Sequence, residues 1–334
     1  MTLQIIAELA QGFEGKPEQA CLLIKAAATA GANAAKFQMV YADELATPDY
    51  EHYGLFKSLE MPNDVWQRLV RISSDLGIEL QLDIFGIQSL RLSEQIGVKT
   101  IKLHGTDIAN IGLVHEVGKS SIEKVLLGAG GAHLEELDRA LEILSNKQVI
   151  VLLGFQGYPT LTPDNQISRV ALLVNRFKSY SQGVTVGFAD HAEQNSPLSY
   201  ALAATAIGAG ATTLEKHLTL GRAMKLEDHE SALNPDEFLE FTQTMQGCFS
   251  AMGASSPVED FCMSIGEQEY RKKIRRHVVA NKNLETGAVI APNDLVLKRT
   301  SADQPMTDIG DIYKKRLKRP ILENLPITLA HLTD

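Results

Sequence analysis

From the N-terminus to about residue 220, short runs of β-branched and leucine residues alternate with longer segments whose apolar positions recur every three or four residues. The short runs read as buried strands and the longer segments as helices, the pattern of repeated βα units on a parallel sheet. Eight strands are predicted: Leu3 to Glu8, Ala34 to Gln38, Glu79 to Ile84, Thr100 to Leu103, Lys124 to Gly128, Val149 to Gly154, Thr185 to Ala189 and Thr212 to Lys216. Helical segments such as Pro17 to Ala30 and Leu134 to Leu144 lie between them. Eight strands within about 250 residues match an α/β fold closed as a (β/α)8 TIM barrel better than an open sheet. No Gly-x-Gly-x-x-Gly opens a helix after the first strand, which argues against a dinucleotide-binding sheet.

Beyond Ala251-Met-Gly253 the pattern changes. A basic run, Arg271-Lys-Lys-Ile-Arg-Arg276, precedes short strands with turns at Glu285-Thr-Gly287 and Ala291-Pro-Asn293. The expected organisation is a barrel over 1–255, a linker over 256–276 and a small β-rich domain over 277–334. A domain that small is only marginally stable alone, so it is expected to lean on a partner. The basic run itself reads as a solvated face.

Composition narrows the function classes. The 334 residues are 44% hydrophobic, enough for one large core and a small second one. Net charge is -9, and the 32 basic residues are scattered, so nucleic acid is not expected as a partner. Cys21, Cys248 and Cys262 are odd in number and lack metal-type spacing, which suits reduced thiols. Thr2-Leu-Gln-Ile-Ile-Ala7 lacks the basic start and long apolar core of a signal peptide, and no run approaches 18 apolar residues. A cytoplasmic protein without membrane contact is expected.

Chemistry is expected where barrel strands end. Val186-Gly-Phe-Ala-Asp-His191 and Thr213-Leu-Glu-Lys-His-Leu-Thr219 each deliver a histidine to a strand end, which points to a divalent metal. Around them converge Glu8, Lys36, Gln38, Asp83, Lys102, His104, Asp107, Gln156, Tyr158 and Asp190. A lone histidine or lysine at a strand end is more often structural, but this many ionisable groups in one barrel mouth, left unpaired, would each cost several kcal/mol. Lysines on that rim suit a phosphate or a carboxylate.

Seven motifs carry a resemblance. Ile6-Ala-Glu8, Gly31-Ala-Asn-Ala-Ala-Lys-Phe-Gln38, Ile101-Lys102, Gly157-Tyr-Pro-Thr160, Val186-Gly-Phe-Ala-Asp-His191, Leu214-Glu-Lys-His217 and Asp228-His-Glu-Ser231 resemble, in this order, the sialic acid synthase family. Val278 to Leu332, with Lys298-Arg299, is similar to that family's antifreeze-like (SAF) domain. The resemblance implies a manganese-dependent condensation of phosphoenolpyruvate with an N-acetylated hexose such as N-acetylmannosamine, giving a nonulosonic acid and phosphate. Magnesium or cobalt are alternative metals. It further implies metal ligation by His191 and His217, and catalytic roles for Glu8, Lys102 and Asp190. Substrate contacts are implied for Lys36, Gln38, Asp83, Thr106, Asp107, Gln156, Tyr158 and Asp228. Arg299 matches an arginine that one subunit inserts into the other's barrel, which implies a domain-swapped homodimer.

Departures concentrate where the resemblance places the phosphate. Asp83 stands for a threonine, Gly105, Gly128 and Ala189 for serines, and Asp107 for a glutamate. After the first strand, Gly12 and Phe13 replace an asparagine and a histidine. A hydrogen bond to a charged group contributes about 1.5–3 kcal/mol, so these losses weaken phosphate binding unless Thr106, His104 or the amides of Gly128-Ala-Gly-Gly131 substitute. Three readings stay open: a divergent synthase, an aldolase using an unphosphorylated pyruvate-type donor through a metal or a Schiff base, and a non-catalytic paralogue.

Overall fold

The computed structural model describes residues 2–155, 157–180, 183–193, 196, 198–253 and 262–333. The chain forms two compact units, residues 1–255 and 256–334.

In the first unit eight parallel strands close into a barrel in sequential order: Gln4–Ala10 (β1), Ala34–Gln38 (β2), Glu79–Asp83 (β3), Thr100–Leu103 (β4), Lys124–Gly128 (β5), Gln148–Leu153 (β6), Thr185–Asp190 (β7) and Thr213–His217 (β8). Closure is completed by β8 against β1, with Glu8 opposite His217. Helices cover the outside. Two of them, Asn63–Asp75 and Ile87–Gln95, are stopped by Gly77 and Gly97 at φ +70° and +80°, a backbone region that glycine enters without strain.

Alternation along the strands separates two apolar regions. Odd positions such as Ile5, Ala7, Leu9, Ile101, Leu103, Val149 and Val151 join the large core between sheet and helices. Even positions Ile6, Ala34, Leu126, Ile150 and Leu152 form a separate cluster, the floor of the barrel lumen. Phe13 belongs to the outer core: fully buried, it meets Phe37 and Trp66 edge-on at centroid distances of 5.6 and 5.9 Å. A histidine there would lose that packing, which accounts for the aromatic at this position.

The second unit holds the helix Ile265–Ile274, capped by the Ser264 hydroxyl accepting from the Glu267 amide, inside the stretch expected as linker. Beyond it, the antiparallel pair His277–Ala280 (β9) and Leu295–Lys298 (β10) and several isolated bridges enclose a small core of Val278, Leu284, Ile290, Ile312, Ile321 and Ile327.

Candidate active site

Above the apolar floor, the next inward residues are Glu8 of β1, Lys36 of β2, Asp83 of β3, Lys102 of β4 and Glu215 of β8. Barrel closure brings these five groups together from strands as far apart in the chain as β1 and β8, each group at most 6% exposed. The Lys36 ammonium donates to Glu8 and, at 2.7 Å, to Asp83, with Glu215 at 3.5 Å. Lys102 donates to Glu215 at 2.6 Å and lies 3.9 Å from both Glu8 and Asp83. The second oxygen of Asp83 is 2.9 Å from Nε2 of His104, and Glu8 also accepts from the Ala10 amide.

Burial raises the cost of every charge here, and the ion pairs offset it. Three carboxylates face two ammoniums, and the excess falls on Glu8: burial pushes its pKa up to about 8 against the lowering effect of Lys36. Although burial opposes ionisation of Asp83 and Glu215, Lys36 and Lys102 hold both below the usual carboxylate range. The surrounding carboxylates keep Lys36 charged despite its burial.

A layer further up, His191 and His217 face each other with ring centroids 5.3 Å apart. Tyr158 meets both rings edge-on, at 5.0 and 5.4 Å. Nδ1 of His191 is 2.8 Å from the Phe155 carbonyl, which can only accept, so Nδ1 carries the proton and Nε2 keeps its lone pair. Nε2 of His217 is buried and has no hydrogen-bond partner, while its Nδ1 lies 3.7 Å from Asp228. Burial lowers the pKa of His191 to about 4 and that of His217 well below its usual value, so both rings are neutral at pH 7. Two neutral imidazoles, one with an orphaned buried lone pair and the other oriented through its far nitrogen, fit a divalent metal. Among the described residues no set of three His, Cys, Asp or Glu side chains is grouped for a metal, so further positions would fall to substrate and water.

Other expected residues divide. Gln38 sits at the end of β2, its side-chain oxygen accepting from Gln11 at 2.7 Å. Asp228 is 10% exposed, adopts φ +58°, and burial together with Glu227 and Glu230 raises its pKa to about 7. Asp107 follows β4 half-buried, and burial raises its carboxyl pKa. Thr106 is exposed, with its methyl beside Gly131. Gln156 lies outside the described residues. Arg299 is exposed on the second unit, where its Nε donates to the Ile274 carbonyl.

Asp190 sits apart from the other expected residues. It and His191 are neighbours in sequence and take opposite faces; since His191 looks inward, Asp190 looks toward the helices. Its carboxylate is fully buried, 3.2 Å from the Lys216 ammonium, and accepts from the Ala192 amide. Those contacts give it a packing role within the wall of the barrel. The two groups that sequence reasoning passed over, Glu215 and Lys216, lie inside the motif Leu214-Glu-Lys-His217. Spacing of two from His217 was the signal that Glu215 shares its face.

A sequence model of the NeuB family matches residues 23–256. The chain is 24% identical to the N,N'-diacetyllegionaminic acid synthase of Legionella pneumophila, over 99% of this chain and 95% of that one. Identity to the human N-acetylneuraminate-9-phosphate synthase is also 24%, over 94% of this chain and 88% of the relative. The crystal structure of an N-acetylneuraminic acid (sialic acid) synthetase from Leptospira borgpetersenii, in complex with citrate, superimposes with a TM-score of 0.73 at 26% identity, covering 81% of this chain and 92% of that one. With the family match spanning more than half its length, the chain belongs to the NeuB family.

Proposed function

We propose that the chain is a nonulosonic acid synthase that joins a three-carbon enol donor to the aldehyde carbon of an N-acetylated hexose. The observation that carries this reading is the pair of neutral, buried imidazoles of His191 and His217 set directly above a buried layer of ammoniums and carboxylates. His191 and His217 would hold a divalent metal, manganese first, with magnesium or cobalt as alternatives; when bound it polarises the acceptor's carbonyl as a Lewis acid. Tyr158 packs edge-on against both imidazoles and would help orient them. Gln38 and Asp228 stand where they can hydrogen-bond sugar hydroxyls, and Lys102 can receive the donor's carboxylate. The proton that Glu8 retains below about pH 8 is available to the oxygen that becomes a hydroxyl as the new bond forms.

The second unit we assign to an antifreeze-like domain, and Arg299 to the barrel mouth of a partner copy in a domain-swapped homodimer. The exposed position of Arg299 on that unit supports this. Among the described residues no helix is long and apolar enough to cross a membrane, and a cytoplasmic enzyme acting on small molecules is the corresponding proposal.

The test is synthesis: the purified chain, Mn2+, a panel of N-acetylated hexoses and a three-carbon donor should yield a 2-oxo sugar acid by mass spectrometry. His217→Ala should abolish both product and Mn2+ binding while leaving the circular dichroism spectrum unchanged. Product formed equally well by His217→Ala would sink the reading.

A further inference from the structure

The chain that leaves β8 makes a closed loop and returns beside the strand end. At its neck the Leu233 amide donates to the His217 carbonyl at 2.9 Å and the Thr219 amide to the Leu233 carbonyl at 3.0 Å. The Arg222 amide completes the neck by donating to the Asn234 side chain at 3.1 Å. Inside the loop, residues 228–231 form a turn closed by the Ser231 amide on the Asp228 carbonyl at 3.1 Å. Asp228 opens that turn at φ +58°, a region that aspartate tolerates better than most residues, and its carboxylate lies 3.7 Å from Nδ1 of His217. Ser231, the last residue of the turn, is fully buried, and its hydroxyl donates to the His191 carbonyl at 2.8 Å, 40 positions away in sequence.

The returning limb therefore grips both histidines by their backbones, His217 through Leu233 and His191 through Ser231. These two bonds differ in kind. The first joins main chain to main chain and follows from the neck, whereas the second depends on one side-chain oxygen and ties the limb to a different strand, β7. His191 is fixed independently of it: Nδ1 lies 2.8 Å from the Phe155 carbonyl, and the His191 carbonyl also accepts from the Thr160 amide at 2.9 Å. A carbonyl oxygen has two lone pairs, so the Ser231 hydroxyl is a second donor to an acceptor already satisfied. Its removal strands no buried carbonyl, and the fold has little need of it. What it adds is a link between the turn that aims Asp228 and the strand end that carries His191.

We propose that Ser231 is a positioning residue that couples the imidazole pair of His191 and His217 to the Asp228 turn, so that occupation of the metal side holds the acceptor side in place. This rests on the synthase reading above and adds the order in which its site is assembled. Holding the two rings together fixes two strand ends, the strand ends hold the returning limb through Ser231 and Leu233, and the limb holds Asp228 where a sugar hydroxyl would meet it. No displacement is required. A segment whose anchors are rigid opens less often, and that alone couples the two sides.

Hydrogen exchange of the full chain, followed by mass spectrometry over residues 226–233 with Mn2+ or with a chelator, reads the coupling without any substrate. The amides of His229, Ser231 and Ala232 are bonded to the carbonyls of Leu226, Asp228 and His229, so they report opening of the turn. In wild type their exchange should slow by about fivefold or more when Mn2+ is bound, within the ordinary range of coupling between sites. In Ser231→Ala the slowing should vanish, with Mn2+ affinity by isothermal titration within about threefold of wild type and the melting temperature of the chelated protein lower by no more than about 3 °C. A larger fall in either quantity makes the hydroxyl a structural bond and overturns the inference. No slowing in wild type with Mn2+ bound, or slowing of equal size in Ser231→Ala, also overturns it and leaves the metal site standing. Absence of Mn2+ binding in wild type removes the metal pair itself, and the synthase reading falls together with the coupling.

Discussion

Replacing Lys36 by methionine keeps the volume of the stem and deletes one of the two cations that hold three buried carboxylates. Removing one partner of a buried ion pair costs about 3–5 kcal/mol in general, because the other charge is stranded. A pH dependence can be worked from this site. All three carboxylates are at most 3% exposed, so water cannot replace the ammonium, and Asp83 or Glu215 must take up a proton instead. Holding a carboxyl protonated at pH 7 against its ordinary value of 4.5 costs about 3.4 kcal/mol, and at pH 5 only about 0.7 kcal/mol. The sign follows. The variant raises a folded-state pKa above its unfolded value, so stability is lost as pH rises. Lys36→Met should therefore be destabilised relative to wild type by about 3–4 kcal/mol at pH 7 and by under about 1–2 kcal/mol at pH 5, read from chemical denaturation with a chelator present. A loss that is the same at both pH values would refute the reasoning, since a packing defect has no reason to titrate.

In wild type, Glu8 retains a proton up to about pH 8 in the folded state and releases it near 4.5 when unfolded, so stability should fall as pH rises between those values, and the fall should shrink in Glu8→Gln. Thermal denaturation of the chelated protein from pH 5 to 8 checks both; a stability that rises across that window would contradict the assignment. Asp190→Ala should cost about 3–5 kcal/mol by stranding Lys216, and Asp190→Ala with Lys216→Met should recover much of that loss. Mn2+ affinity of the double variant should stay within about threefold of wild type, given that Asp190 faces away from the lumen. Gly130→Ala should destabilise by about 2 kcal/mol or more, because its Cβ would meet the Gly154 carbonyl at 1.9 Å and backbone must move; a neutral result in thermal denaturation would show that contact to be loose.

The barrel was legible because strand formation here is a local matter. Each predicted strand reappears with its ends displaced by no more than two residues; β1, for instance, runs on from Glu8 to Ala10, which turns the chain at φ +45°. The two histidines were legible for the same reason, each ending a strand. What the lysines do was not. Lys36 meets Glu8, Asp83 and Glu215 from three other strands, and Lys102 meets Glu215 from across 113 residues, so their commitment to internal pairs exists only once the barrel closes. Asp190 is a different case. Strand alternation forbids residues 190 and 191 from sharing a face, and that rule alone, applied to the motif, sets Asp190 and His191 on opposite sides of the sheet. The glycines at 105, 128 and 154 registered in the sequence as missing hydroxyls; in the fold they are contact points where a Cβ has no room.

The central claim is that His191 and His217 hold a metal over a carbon–carbon bond-forming site, and its most direct measurement is product formation with and without that metal. Purified chain incubated with Mn2+, N-acetylated hexoses and either pyruvate or phosphoenolpyruvate should give a sugar acid by mass spectrometry. Both chelation and His217→Ala should lower its formation by at least about a hundredfold, the loss expected when a Lewis acid is removed from a polarised carbonyl. Product that persists undiminished after chelation, or no product from either donor with any acceptor, would contradict the account.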